Sequence, residues 1–298
     1  MSGFKRGIES GKFIEQLAEE AKKGSWWADV LNDPKLFIAV RDEYLNVYWR
    51  GHSLFRVDMG PSGLHVTTHP KFLLDPALSE QVPLVNGKFE VKEGGFLLDY
   101  GTTTLDKMKK AAGIFAEEEG AGCHEIILKN PQIIDCEIAF PKDSSGDKGA
   151  LRVDLLSLQQ GGELVFWEAK NFTNGDLRAL GDVIPVCEQV ARYREYVSRP
   201  QHGAAIEKSY KQVVKNLVQI NNMREKPLDL PEQVMEVAEE KRKVTLGDKP
   251  KVGLVIFGFG EAERRDPNWR RHRERLEKDC EIARVIAAGD AKNIRLEL

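Results

Sequence analysis

The sequence predicts a mixed α/β protein, an α+β arrangement in which a small β-rich N-terminal module precedes a mixed sheet with helices on both faces. Three observations carry this. Between Leu36 and Tyr100, short runs of β-branched and aromatic residues alternate with turn residues, the pattern of successive strands. From Leu105 onward the order changes to helix, strand, strand, strand, helix. Finally, Val252 to Phe259 is apolar at nearly every position, which fits a strand inside a sheet covered on both sides.

Each element has a local reason. Phe13, Ile14, Leu17, Ala18 and Ala21 recur at helical spacing, and Gly24 closes that helix. Strands follow at Phe37–Val40, Tyr44–Arg50, Ser53–Met59 and Leu64–Thr68, separated by Gly51 and by Gly60-Pro61-Ser62-Gly63. Thr102, Thr103 and Thr104 offer N-caps for a helical pattern from Leu105 to Asn130, which Gly120 and Gly122 divide in two. A strand over Ile133–Phe140 runs into a polar loop, Pro141–Gly149. Leu151–Leu158 and Glu163–Ala169 are strands joined by Gln159-Gln160-Gly161-Gly162. A helix over Ile184–Ser198 carries Pro185 at a tolerated early position, and two helices rich in Lys and Glu occupy 203–243. The predicted domains are therefore 1–105 and 106–298, the second with a helical insertion over about 200–248.

Composition narrows the class. With 44 basic and 47 acidic residues in 298 the net charge is −3, unlike a histone-like polycation, although a local groove of Lys and Arg suffices for nucleic acid. No stretch reaches the roughly 18 apolar residues of a membrane span, and the first residues lack a secretory apolar run. Cys123, Cys136, Cys187 and Cys280 are scattered without a CxxC pair, so they read as buried thiols of a soluble cytoplasmic protein, not as a disulfide frame or zinc site.

The chemistry concentrates on two strands. Glu168 and Lys170, two apart, share one strand face. A three-residue loop of Gln160, Gly161 and Gly162 pairs Gln159 with Glu163 and sets Asp154 opposite Glu168, Cα atoms about 4.5–5.5 Å apart. Two facing carboxylates on otherwise apolar strands each resist ionisation, and a divalent cation relieves that cost; oxygen ligands suit Mg²⁺ or Mn²⁺. Lys170 on the same face can orient a water or stabilise charge developing on a phosphate, so metal-assisted attack on a phosphodiester is the reaction such a site supports.

These residues resemble the PD-(D/E)XK nuclease superfamily, in its variant related to RecB-type nucleases. The resemblance covers about residues 106–260 and implies a restriction-endonuclease-like core: a helix, a three-stranded meander, a crossover helix and a further strand. Asp154 falls on the family's first acid, Glu168 and Lys170 on its E-x-K, and Gln189 and Tyr193 on its Q-x-x-x-Y. The Pro before the first acid is absent, Val153 standing there. The resemblance implies metal ligation by Asp154, Glu168 and the Ala169 carbonyl, with Glu125 of the preceding helix as a further ligand, and positioning of substrate by Gln189 and Tyr193. E-x-K alone is unspecific, since Glu20-Ala21-Lys22, Glu90-Val91-Lys92 and Glu239-Glu240-Lys241 also match. Glu137, on the strand Asp135–Ile138, could add a further acid near the metal; the plainer reading is a partly exposed strand carboxylate.

Two features bear on a nucleic-acid partner. Arg270, Arg271 and Arg273 lie on a basic helix whose alternative reading is a solvated face paired with nearby Glu residues. Tyr44, Asn46, Tyr48 and Arg50 share a strand face suited to stacking bases or, more plainly, to packing. The expectation is a Mg²⁺-dependent endonuclease, DNA favoured, in defence or repair. The alternative is a non-catalytic protein that binds nucleic acid or a partner on a nuclease fold. The N-terminal module is assigned to substrate binding, sensing or dimerisation, which leaves a homodimer open.

Overall fold

The computed structural model describes residues 3–73, 81–90, 97–141, 151–178 and 183–298, so most of the expected polar loop lies outside the described residues. The chain forms two compact units: one of residues Arg6–Gly120 and Gln212–Asp229, the other of Met1–Lys5, Ala121–Lys211 and Leu230–Leu298. The division falls at Gly120, beyond the boundary expected near Asp106, because the helix following Thr103 packs in the first unit.

In that first unit, β1 (Phe37–Val40), β2 (Tyr44–Trp49), β3 (His52–Gly60), β4 (Gly63–Thr68), β5 (Val82–Val85), β6 (Lys88–Glu90) and β7 (Leu97–Asp99) form one antiparallel meander in chain order. Among the helices that accompany it are α1 (Gly11–Lys22), α2 (Trp26–Asn32) and α3 (Thr104–Ile114). The helix α2 has no counterpart in the sequence reading. Ser25 caps it, its hydroxyl accepting from the Trp27 N–H, and Trp26, Trp27, Val30 and Leu31 are all buried. The core continues through Phe13, Leu17, Leu45, Val47, Phe55 and Val57.

The second unit is the mixed α/β part. Strands β8 (Ile133–Ala139), β9 (Arg152–Leu158) and β10 (Leu164–Asn171) make an antiparallel meander; β11 (Lys251–Phe257) lies parallel to β10 and β12 (Val285–Ala287) parallel to β11. The sheet order is β12-β11-β10-β9-β8, with all eight residues of β10 buried at its centre. Helices α4 (Glu118–Lys129), α5 (Pro185–Ser198), α6 (Pro200–Asn221), α7 (Glu232–Ala238), α8 (Glu261–Arg265) and α9 (Pro267–Asp279) complete the chain.

The sheet is covered on both faces. Trp167 of β10 bonds Ser157 of β9 at 2.8 Å, and a Cβ on Gly253 of β11 would meet the Trp167 ring at 2.3 Å, so these residues share one face. Phe257 belongs to that face by alternation, and a Cβ on Gly122 of α4 would meet its ring at 2.1 Å. Gly122 is thus an approach residue for helix against sheet and not the helix break expected of it. The break falls earlier, between α3 and α4, and Gly120 lies inside α4. The opposite face packs Phe140 against Phe166 of β10 and Tyr196 of α5.

Two further expectations are corrected. Cys187 and Cys280 are joined in a disulfide with Cα atoms 5.1 Å apart, tying the first turn of α5 to the end of α9. Residues 93 apart meet only in the fold, so spacing gave no sign of the pair. Arg50 does not extend the β2 face: with φ +47 it turns with Gly51 (φ +83) into β3. Among the described residues, no helix is long and apolar enough to cross a membrane.

Candidate active site

The β9–β10 hairpin sets the site. Gly161 and Gly162, both with positive φ, close the loop, and the Gln159 N–H donates to the Glu163 carbonyl at 2.8 Å. The ladder then runs Leu158↔Leu164, Ser157↔Val165, Leu156↔Phe166 and Leu155↔Trp167. The paired register ends there; continued by one step it would set Asp154 across from Glu168. Asp154 Oδ2 accepts from the Ala169 N–H at 2.8 Å, which orients the carboxylate along β10.

Glu168 is fully buried and Lys170 nearly so, and they pair at 2.7 Å between Oε1 and Nζ. The Lys170 ammonium also reaches Asp176 Oδ2 at 3.7 Å, in the short 3₁₀ turn Gly175–Leu177 after β10. Burial holds the half-buried Asp154 carboxyl well above its ordinary range, and the Glu168 charge raises it further; the Ala169 N–H and Lys170 offset part of this. The Lys170 ammonium thus pairs with Glu168 and Asp176, and Asp154 feels the charges of both Glu168 and Lys170.

Tyr193 stands over the same face from α5. Its hydroxyl donates to the Arg152 carbonyl on β9 and accepts from Gln189 Nε2 at 2.5 Å. Burial and then the neighbouring Glu168 carboxylate push its pKa well above the phenol value. Gln189 and Tyr193, one turn apart, thus brace the strand that carries Asp154.

Glu125 is not part of this cluster. It is exposed on α4, which covers the Trp167 face of the sheet, the side opposite Asp154 and Glu168, and the charge it acts on is Lys292. Among the described residues, no group of three or more His, Cys, Asp or Glu converges on one point. Glu137 stands nearer. The β8–β9 ladder pairs Cys136↔Leu155 and Ile138↔Val153, which sets Glu137 beside Asp154 and lets its charge raise the Asp154 carboxyl. With φ +50, Glu137 turns to pair with Arg152 at 3.2 Å.

The remaining candidates are surface features. Arg270 and Arg271 are exposed on α9, while Arg273 pairs with Glu277 at 2.9 Å one turn on. Tyr48 is half-buried, its hydroxyl accepting from Arg41 and Asn46 at 3.2 and 3.3 Å, so its polar end serves the sheet. The lysines of two decoys do not fall on buried strands either: Lys22 ends α1, and Lys241 follows α7 and pairs with Glu239. Lys92 lies outside the described residues.

Sequence reasoning passed over Asp176, while Glu137 is the partly exposed strand carboxylate expected of it. Asp176 follows Lys170 in Asn171-Phe172-Thr173-Asn174-Gly175-Asp176, where the Asn-Gly pair signals a turn that folds the chain back. Glu137 carried no comparable signal, since the β8–β9 connection is long and β8 has a register shift between Ile133 and Asp135. Compared with protein-family models, with curated proteins and with solved structures, the chain gives no match.

Proposed function

We propose that the protein is a metal-dependent endonuclease that hydrolyses phosphodiester bonds, DNA favoured, on the site built by Asp154, Glu168 and Lys170. The observation that carries the reading is the juxtaposition of these three groups on one face of adjoining strands, with Glu168 and Lys170 buried at 2.7 Å. The resemblance of the same residues to the PD-(D/E)XK pattern supports it, as does the Gln189–Tyr193 pair on the following helix.

The donor set fits a hard divalent cation: two carboxylates that repel each other, with the Ala169 carbonyl adjoining them in the chain. Asp154, Glu168 and that carbonyl would hold Mg²⁺ or Mn²⁺. When bound, such an ion supplies Lewis acidity to a phosphoryl oxygen and a more acidic water. Asp154 is aimed by its bond from Ala169 N–H, and Glu168 holds the Lys170 ammonium at the reacting face. Lys170 stabilises negative charge that develops on the phosphoryl oxygens. Gln189 and Tyr193 keep β9 in place, and Asp176 limits the travel of Lys170 from the other side.

Incubation with supercoiled plasmid and with labelled single- and double-stranded DNA and RNA, with Mg²⁺ or Mn²⁺, tests the proposal. Cleavage by the wild type that is lost in Asp154→Ala and Lys170→Ala is expected. Intact substrates throughout, or variants that cut as fast as wild type, would overturn it.

A further inference from the structure

Beyond Lys170 the chain builds a second feature. From Asn171 to Arg178 it forms a braced turn: the Asn171 side chain accepts from the Thr173 N–H and hydroxyl at 3.0 and 2.8 Å, and Asn174 accepts from the Asp176 N–H at 2.9 Å. The Arg178 N–H donates to the Gly175 carbonyl at 2.9 Å. From α9, His272 donates through Nε2 to the Leu177 carbonyl. The turn is therefore anchored by Lys170 with Asp176 at one end and by His272 at the other.

Arg178 ends this turn with its guanidinium over two aromatic rings, 4.7 Å from the centre of Phe172 and 5.8 Å from that of Trp269. Phe172 and Trp269 meet edge to face at 4.8 Å, and Phe259 closes the cluster at 5.4 Å from Phe172. Trp269 and Phe259 are buried, so the rings act as a floor under the cation and leave little face for a base to stack on.

Among the described residues this cation has no carboxylate partner, and its buried Nη1 has no hydrogen-bond partner. Burial lowers its pKa. A guanidinium nonetheless stays charged in proteins, and an uncompensated, partly desolvated charge costs stability unless an anion completes it. The residue is only half-buried, so its donor fork remains reachable. A planar fork fits two oxygens of a phosphate, which a lysine ammonium does not match.

We infer that Arg178 is a phosphate-binding residue, which engages a backbone phosphodiester of the nucleic acid whose neighbouring linkage lies at Asp154, Glu168 and Lys170. This rests on the nuclease reading for the identity of the polymer, while the anion site stands on the Arg178 cluster alone. It also separates two kinds of arginine in the chain: those of α9 that pair with acids one turn away, and Arg178, whose charge is held in place and left open.

The test is fluorescence anisotropy of a labelled 20-mer, single-stranded and duplex, in EDTA, so that binding is read without cleavage. Wild type, Arg178→Gln and Arg178→Lys are compared across a salt series, with thermal melts to establish folding. Arg178→Gln is expected to bind about tenfold more weakly, with a salt dependence less steep by about one phosphate contact. Arg178→Lys, which keeps the charge over the rings and loses the fork, is expected to fall between the two. Equal affinity and equal salt slope in wild type and both variants would overturn the inference. Nicking of plasmid by a wild type whose binding ignores Arg178 would overturn this inference and leave the nuclease reading standing. Arg178-dependent binding without cleavage in Mg²⁺ would support the anion site and sink the nuclease reading instead.

Discussion

On the seven-stranded sheet, Arg56 lies 3.7 Å over the Tyr44 ring and pairs with Asp58, which also bonds His65, and these three side chains are 27 to 52% exposed. On the five-stranded sheet, Glu168 and Lys170 keep a similar contact distance at 1 and 8% exposure, with a second carboxylate, Asp154, across the ladder. Water screens the first set, so each charge is cheap and each pair worth little. In the second set Glu168 and Lys170 are desolvated on β10, a strand whose eight residues are all buried, and half-buried Asp154 adds a like charge beside them. The contrast shows why ion-pair distance alone does not mark a site: the surplus of negative charge at depth does.

The comparison can be broken in graded ways. The largest effect expected is on catalysis. Lys170→Ala or Asp154→Ala should lower phosphodiester cleavage by a factor on the order of a thousand, about 4 kcal/mol of barrier, while Asp58→Ala on the other sheet leaves the rate at wild-type level in the same nicking assay. Next is the covalent tie between α5 and α9. Reducing Cys187–Cys280, or replacing Cys187 by Ser, should lower unfolding free energy by about 2–4 kcal/mol, since the bridge closes a long loop; urea denaturation with and without reductant measures it.

A smaller effect of opposite sign tests the like-charge pair. Asp154 has a folded-state pKa above its unfolded value, so the folded protein holds that proton more tightly. Its contribution to stability is full below the unfolded value near 3.9 and is lost as pH rises through the raised folded value. Asp154→Asn keeps an acceptor for the Ala169 N–H and removes the charge. In EDTA the variant should be more stable than wild type at pH 8, with a gap that narrows toward pH 4. Urea midpoints across pH decide this, and a wild type that matches or exceeds Asp154→Asn at pH 8 would contradict it. The smallest effect is the control: Arg56→Ala should change stability by under about 0.5 kcal/mol beyond the loss of its ring contact.

Much of the second unit is legible in the sequence alone. Loop length determined the β9–β10 register because two glycines at positive φ leave a three-residue connection one pairing, and alternation then placed Asp154 and Glu168 on a common face. Both-sided apolarity marked β11 as interior, and it lies between β10 and β12. What was lost shares a cause, dependence on contacts far apart in the chain. Glu125 matched by order along the sequence, yet which face of the sheet α4 covers is decided by Gly122 against Phe257. Gly122 looked like a breaker for the same reason, because its function is a close approach that only packing reveals. Arg178 offered no motif at all: its meaning comes from Phe172 and Trp269, one nearby in sequence and one on α9.

The most direct test of the central claim is calorimetric titration of Mn²⁺ into wild type and Asp154→Asn, each alone and with a phosphorothioate duplex that resists cleavage. The account predicts saturable binding by wild type and at least tenfold weaker binding by the variant. Equal binding by both proteins, or none by wild type even with the duplex present, would contradict it and leave Asp154 and Glu168 as structural charges.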